Sequence, residues 1–189
     1  MIDNGIQREE IHHRQIDLRV YRRSDGCIEV VGSLLDRKRQ PFRRQLADED
    51  TPPGTPLHDI VVTLVVDTSL VVREASASMP TTPFPICTGA AQTLAVLEGE
   101  RVGSGWNRRV RELLGGVKSC THVVELLGPM ATALYQGLAP ERLALLNQPG
   151  NEAMKQRKVD SCFAYSAERE VVARLFPAYR REPEPPTHP

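Results

Sequence analysis

Cys120 and His122 stand two residues apart, and His58, Cys87 and Cys162 come from other parts of the chain. These are the residue types that carry thiol chemistry or hold a soft metal ion. Thiolate and neutral imidazole are both donors for tetrahedral zinc. The metal set read from the sequence is therefore Cys87, Cys120, His122 and His58, with zinc as its ion. None of the usual close ligand pairs, such as CxxC or HxxxH, is present. On a regular helix, residues two apart point about 200° from one another. Cys120 and His122 can meet at one point only if a helix begins after Cys120.

The second chemistry open to these residues is nucleophilic. A helix N-terminus favours negative charge and lowers a thiol pKa, so Cys120 at such a start would be a nucleophile with His122 or His58 as its proton partner. The catalytic set on this reading is Cys120, His122 and His58. His58 is followed by Asp59, but neighbours on a strand face opposite ways, so the carboxylate orienting His58 must come from elsewhere. Asp36, Asp67 and Glu125 are the candidates, and Glu125 lies one helical turn from His122. His12 and His13 fall in a polar terminal stretch without a third ligand nearby and are left out of the site.

A further group, Trp106, Arg108 and Arg109, follows Gly103-Ser104-Gly105 at a helix start, where backbone N–H groups and arginines suit an anionic substrate. The full phosphate-loop pattern is missing. Trp106 also keeps apolar step with Val110, as a core anchor would.

Elements must position these side chains. Residues 16–20 alternate apolar and charged, and 27–31 resume an extended pattern after Ser24-Asp25-Gly26, which predicts a hairpin. Residues 36–56, basic then acidic and broken by prolines, read as a long exposed loop. A second hairpin is expected from 57–66 and 70–77. Ala90, Leu94 and Leu97 then take helical spacing, a helix carrying Val110, Leu113 and Leu114 stops at Gly115-Gly116, and one capped by Ser119 runs on to Leu138 with a bend at Gly128-Pro129. Residues 147–158 read as loop or weak helix, and 159–165 as a late strand or packed segment. Strands followed by helices specify an α+β fold: an antiparallel sheet of about four strands in the N-terminal half, packed against C-terminal helices. The expected organisation is a polar segment over 1–13, one domain over 14–181 and a disordered Pro-rich tail over 182–189.

Several segments resemble a bacterial family known as a domain of unknown function. They are Arg23-Ser24-Asp25-Gly26, residues 31–36, His58-Asp59, Cys87, Gly103-Ser104-Gly105-Trp106, Cys120-Thr121-His122 and Asp160-Ser161-Cys162, with the run Arg108 to Val117 the most specific. The resemblance implies membership and a shared role for these positions. It implies no particular activity.

The 189 residues carry 24 Lys+Arg and 24 Asp+Glu, and 40% are hydrophobic. Zero net charge argues against nucleic acid as a partner. Apolar runs far shorter than the roughly 20 residues of a membrane helix predict no membrane span. With no secretory signal legible at Met1 and four scattered cysteines, the expected location is the cytoplasm, with free thiols. The neutrality is uneven: residues 8–44 hold ten basic and six acidic residues, whereas 45–100 hold one and eight. A small-molecule substrate, anionic if it meets the arginines, and self-association are the expected interactions. The functional expectation is a metabolic enzyme performing thiol- or metal-assisted hydrolysis, elimination or isomerisation at the Cys/His site. The alternative is a noncatalytic binding or assembly protein with structural cysteines and histidines.

Overall fold

In the computed structural model, residues 5–182 are described. The chain forms two compact units, Met1–Gly137 and Leu138–Pro189. The expected disordered tail lies almost wholly outside the described residues, as do the first four residues of the expected polar N-terminal segment.

The first unit is α+β. Its antiparallel sheet is a meander of β1 (His12–Arg22), β2 (Ile28–Lys38), β5 (Pro56–Val66) and β6 (Val72–Thr81), hydrogen-bonded in that order. A two-stranded ribbon, β3 (Phe42–Arg43) with β4 (Asp50–Thr51), interrupts the connection from β2 to β5. Both main hairpins are longer than their apolar alternation suggests. β1 opens at His12, where its inward positions are polar and so hide the period of two. β2 runs on to Lys38, so Asp36 belongs to a strand and not to an exposed loop.

Pairing places the sheet's core side chains in cross-strand rows. Val20, Val30 and Leu64 form one, followed by Leu18, Gly32 and Val62, then Ile16, Leu34 and Ile60. The next row is Arg14, Asp36 and His58. Three apolar rows thus lead to one charged row on the same face, as the two-residue strand period requires.

After β6 the chain takes a 3₁₀ segment over Pro85–Leu97 where regular helical spacing was expected. Its two fully buried residues, Leu94 and Leu97, are three apart, which suits the tighter helix. Helix α1 (Trp106–Leu114) buries Trp106, Val110 and Leu114, and helix α2 (Thr121–Gly137) buries Val123, Leu126, Leu127, Met130 and Leu134. Pro129 is accommodated inside α2 without ending it. Close approach fixes α2 on the sheet: a Cβ on Gly32 would lie 2.9 Å from Met130 Cγ and Sδ, and one on Gly137 would lie 2.8 Å from Val20 Cγ1. Filling either gap would force overpacking.

The second unit contains α3 (Ala139–Leu146), α4 (Glu152–Lys158) and α5 (Glu170–Leu175) around Leu146, Val172 and Phe176. Residues 159–165 do not form a strand. Asp160 has φ 58°, its backbone N–H donates to the Tyr165 carbonyl at 2.8 Å, and its carboxylate accepts from the Ala167 N–H at 2.9 Å. That closed turn leaves no extended run to pair.

Candidate functional site

Asp36 is 1% exposed, so its carboxylate must be paired within the protein. Arg14, its partner across the β1–β2 pair, grips it with both ends of the guanidinium: Nε donates to Oδ1 and Nη2 to Oδ2, each at 2.8 Å. Such a fork is geometrically specific and strong. The remaining guanidinium arm, Nη1, donates to Glu125 Oε2 at 2.7 Å and so ties β1 to α2. Burial alone would raise the pKa of Asp36, but the hydrogen bonds and charge of Arg14 outweigh it and hold the carboxyl below its usual value.

Histidines surround the same carboxylate. His58 Nδ1 lies 3.0 Å from Oδ2 and His12 Nε2 lies 3.3 Å from Oδ1. Because an ionised carboxylate only accepts, both ring nitrogens facing it carry protons. His58 is therefore an Nδ1–H tautomer. Burial, then the neighbouring His122, depress its pKa against the pull of Asp36. His122 rests against His58 with ring centroids 3.8 Å apart, and its Nε2 is 3.9 Å from Asp36 Oδ2.

The other ring nitrogen of His122, Nδ1, is 3.7 Å from Cys120 Sγ. Helix α2 starts at Thr121, which satisfies the condition that the helix begin after Cys120. The Cys120 carbonyl accepts the Val124 N–H at 3.0 Å, making Cys120 the residue that opens the helix, where Ser119 was expected. Ser119 instead shares a hydroxyl–hydroxyl hydrogen bond with Thr93 at 2.7 Å. The Cys120 thiol pKa is lowered, chiefly by its hydrogen bond with His122 and further by the Val123 and His122 backbone N–H groups, while burial opposes the shift. Cys120, His122, His58 and Asp36 thus form a continuous path from a helix-start thiol to a buried carboxylate.

A cavity of about 590 Å³ opens onto this path. His58, Cys120 and His122 line it together with Cys87, Phe84, Ile86, Val117 and Lys118. Trp106, Arg108 and Arg109 do not line it. Trp106 is buried and its indole N–H donates to the Leu127 carbonyl at 2.9 Å; Arg109 pairs with Glu100 at 2.6 Å; Arg108 lies beside a separate recess. Cys162 is exposed in the second unit, and Cys27 lies in the β1–β2 hairpin.

A family model described as a protein of unknown function, DUF2889, matches residues 12–136. The chain belongs to this family. The DUF2889 match begins at His12 and takes in every residue of the path, together with Arg14, Cys87 and Glu125. Helices α3 to α5 follow it. No curated protein and no solved structure matches the chain.

Within this DUF2889 chain, Asp36, His58 and His122 also present ligand atoms within 4.8 Å of one another, a two-histidine, one-carboxylate set. Both oxygens of that carboxylate also accept from Arg14, so a cation held there would sit beside a guanidinium of the same sign. Cys87 and Cys120, expected ligands from the sequence, are not in that converging set. Sequence reasoning named Asp36 as an orienting carboxylate and set His12 aside, and it did not single out Arg14. Extending the period of two backwards through Ile16 to residues 14 and 12 is the signal that would have found both.

Proposed function

We propose that the chain is a cysteine-dependent enzyme that hydrolyses a small ester or thioester, with Cys120 as nucleophile and His122 as its proton partner. The observation that carries this reading is the thiol itself: it opens α2, sits 3.7 Å from His122 Nδ1 and faces a cavity large enough for a small molecule. Four free thiols suit a reducing compartment, the cytoplasm.

The Cys120 proton passes to His122 Nδ1 as Sγ attacks the carbonyl carbon and the C=O π pair moves onto oxygen. Collapse breaks the bond to the leaving group, which takes the proton from His122. Water then attacks the acyl-cysteine, giving its proton to Nδ1, and expulsion of the Cys120 thiolate releases the carboxylic acid. Whenever the His122 ring holds the transferred proton, Asp36 steadies its positive charge from 3.9 Å, and the 3.0 Å hydrogen bond to Asp36 holds His58 against it.

The test is the pH dependence of Cys120 carboxamidomethylation by iodoacetamide, followed by peptide mass spectrometry, alongside turnover of p-nitrophenyl acetate. The expected midpoint lies below the ordinary thiol value of 9.0, and Cys120→Ser removes both labelling and turnover. An ordinary midpoint, or turnover that survives in Cys120→Ser, would give the site back to the noncatalytic reading.

A further inference from the structure

The lining of the Cys120 cavity is mixed: Cys120, His58 and His122 supply polar atoms, and Phe84, Ile86 and Val117 supply apolar surface. Ile86 and Val117 are 86% and 106% exposed, and they come from different segments, the 3₁₀ turn after β6 and the turn that precedes α2. Single exposed aliphatic residues are ordinary on protein surfaces. Two of them on the wall of one cavity that also holds a helix-start thiol form an apolar wall beside a fixed reacting atom.

Charge narrows what that wall can take. Among the described residues lining the cavity, Lys118 carries the one permanently charged side chain, and its ammonium already donates to the Glu112 carbonyl at 2.6 Å. The arginines expected to receive an anion lie elsewhere. The volume, about 590 Å³, far exceeds that of a carbonyl group and belongs to the range that encloses drug-sized molecules.

We propose that Ile86 and Val117 are specificity-determining residues that hold an uncharged apolar acyl group, aryl or cycloalkyl in size, while its carbonyl carbon is presented to Cys120. This inference rests on the thiol reading above. The reacting carbon is placed by Sγ, and the apolar body extends from it across the wall, where burial of each methylene would contribute roughly 0.8 kcal/mol, or about fourfold in association.

The test uses the full chain and two probes, N-methylmaleimide and N-cyclohexylmaleimide. Rates of Cys120 modification are followed by peptide mass spectrometry and divided by the rates of glutathione with the same reagents. The cyclohexyl reagent is expected to gain at least about tenfold over the methyl reagent on this scale. In the double variant Ile86→Asp, Val117→Asp, the preference falls to that of glutathione, with the circular dichroism spectrum unchanged because both positions face solvent. If wild-type protein shows no preference while Cys120 reacts readily, the substrate assignment is overturned and the thiol reading stands. A preference that persists in the double variant removes the role of Ile86 and Val117. If Cys120 reacts with neither reagent, both the substrate assignment and the thiol reading fall.

Discussion

The starts of α1 and α2 have similar ingredients and different surroundings. Each is a helix N-terminus preceded by small residues, and each has ionisable side chains within its first turn. At α1, Gly105 takes φ 83°, Trp106 turns into the core, and Arg109 is neutralised at the surface by Glu100. At α2, Cys120 and His122 stand over the row Arg14, Asp36 and His58, whose central carboxylate is 1% exposed. Both starts have a helix dipole. What separates them is the buried charge behind the second. A surface ion pair is screened by water, whereas a carboxylate inside the protein acts on its neighbours with little screening. The difference explains why residues of equally suggestive type converge into one cluster at one helix and form an ordinary surface at the other.

The contrast breaks most severely when the buried carboxylate is removed. Asp36→Ala should cost on the order of 3 kcal/mol in chemical denaturation, because Arg14 loses its fork and two histidines lose their acceptor. A loss no greater than that of a surface substitution would mean that Asp36 is not the anchor of the site. His122→Asn tests the thiol end: the midpoint for Cys120 alkylation should move up towards 9.0, since its largest stabilising partner is gone. An unmoved midpoint would leave the helix start alone as the cause.

Acidification sharpens the comparison next. His58 has a depressed pKa, so the unfolded chain takes up its proton first, and the stability it contributes is present above about 6.5 and lost as pH falls through its lower folded value. Asp36, depressed from 3.8, has the same sign at lower pH. Melting temperatures should therefore decline below pH 6.5, and His58→Gln should flatten the upper part of that decline. The smallest effect belongs to α1. Arg109→Gln should leave both melting temperature and Cys120 labelling unchanged, because its pair with Glu100 lies in solvent. A shift in labelling would couple the two helix starts.

The sheet was legible wherever its inward positions are apolar. Residues 16–20 alternate apolar and charged, Ile28 to Leu34 and Ile60 to Val66 are rich in β-branched and other aliphatic residues, and four antiparallel strands followed from them. The pattern ended too early at both borders of the site, since His12, Arg14 and Asp36 occupy core-facing positions with side chains that look like loop residues. The pair Cys120 and His122 was legible from residue type. Its convergence with His58 depended on the start of α2 and on pairing between distant strands, neither of which spacing reveals. Trp106 was legible as an anchor, and Arg108 and Arg109 were drawn to it by proximity in sequence rather than in space.

The register of β2 gives the site an arithmetic of its own. Asp36 shares a face with Ile28, Val30, Gly32 and Leu34 because even steps separate them, and its neighbours Leu35 and Arg37 face the other way. Inserting or deleting one residue within β2 would exchange the two sets, turning the carboxylate away from α2 and bringing an aliphatic or a guanidinium into its place. Length change in this strand is therefore tolerable only in pairs, and the parity of the strand, as much as the carboxylate at Asp36, decides whether Cys120 has a charge behind it.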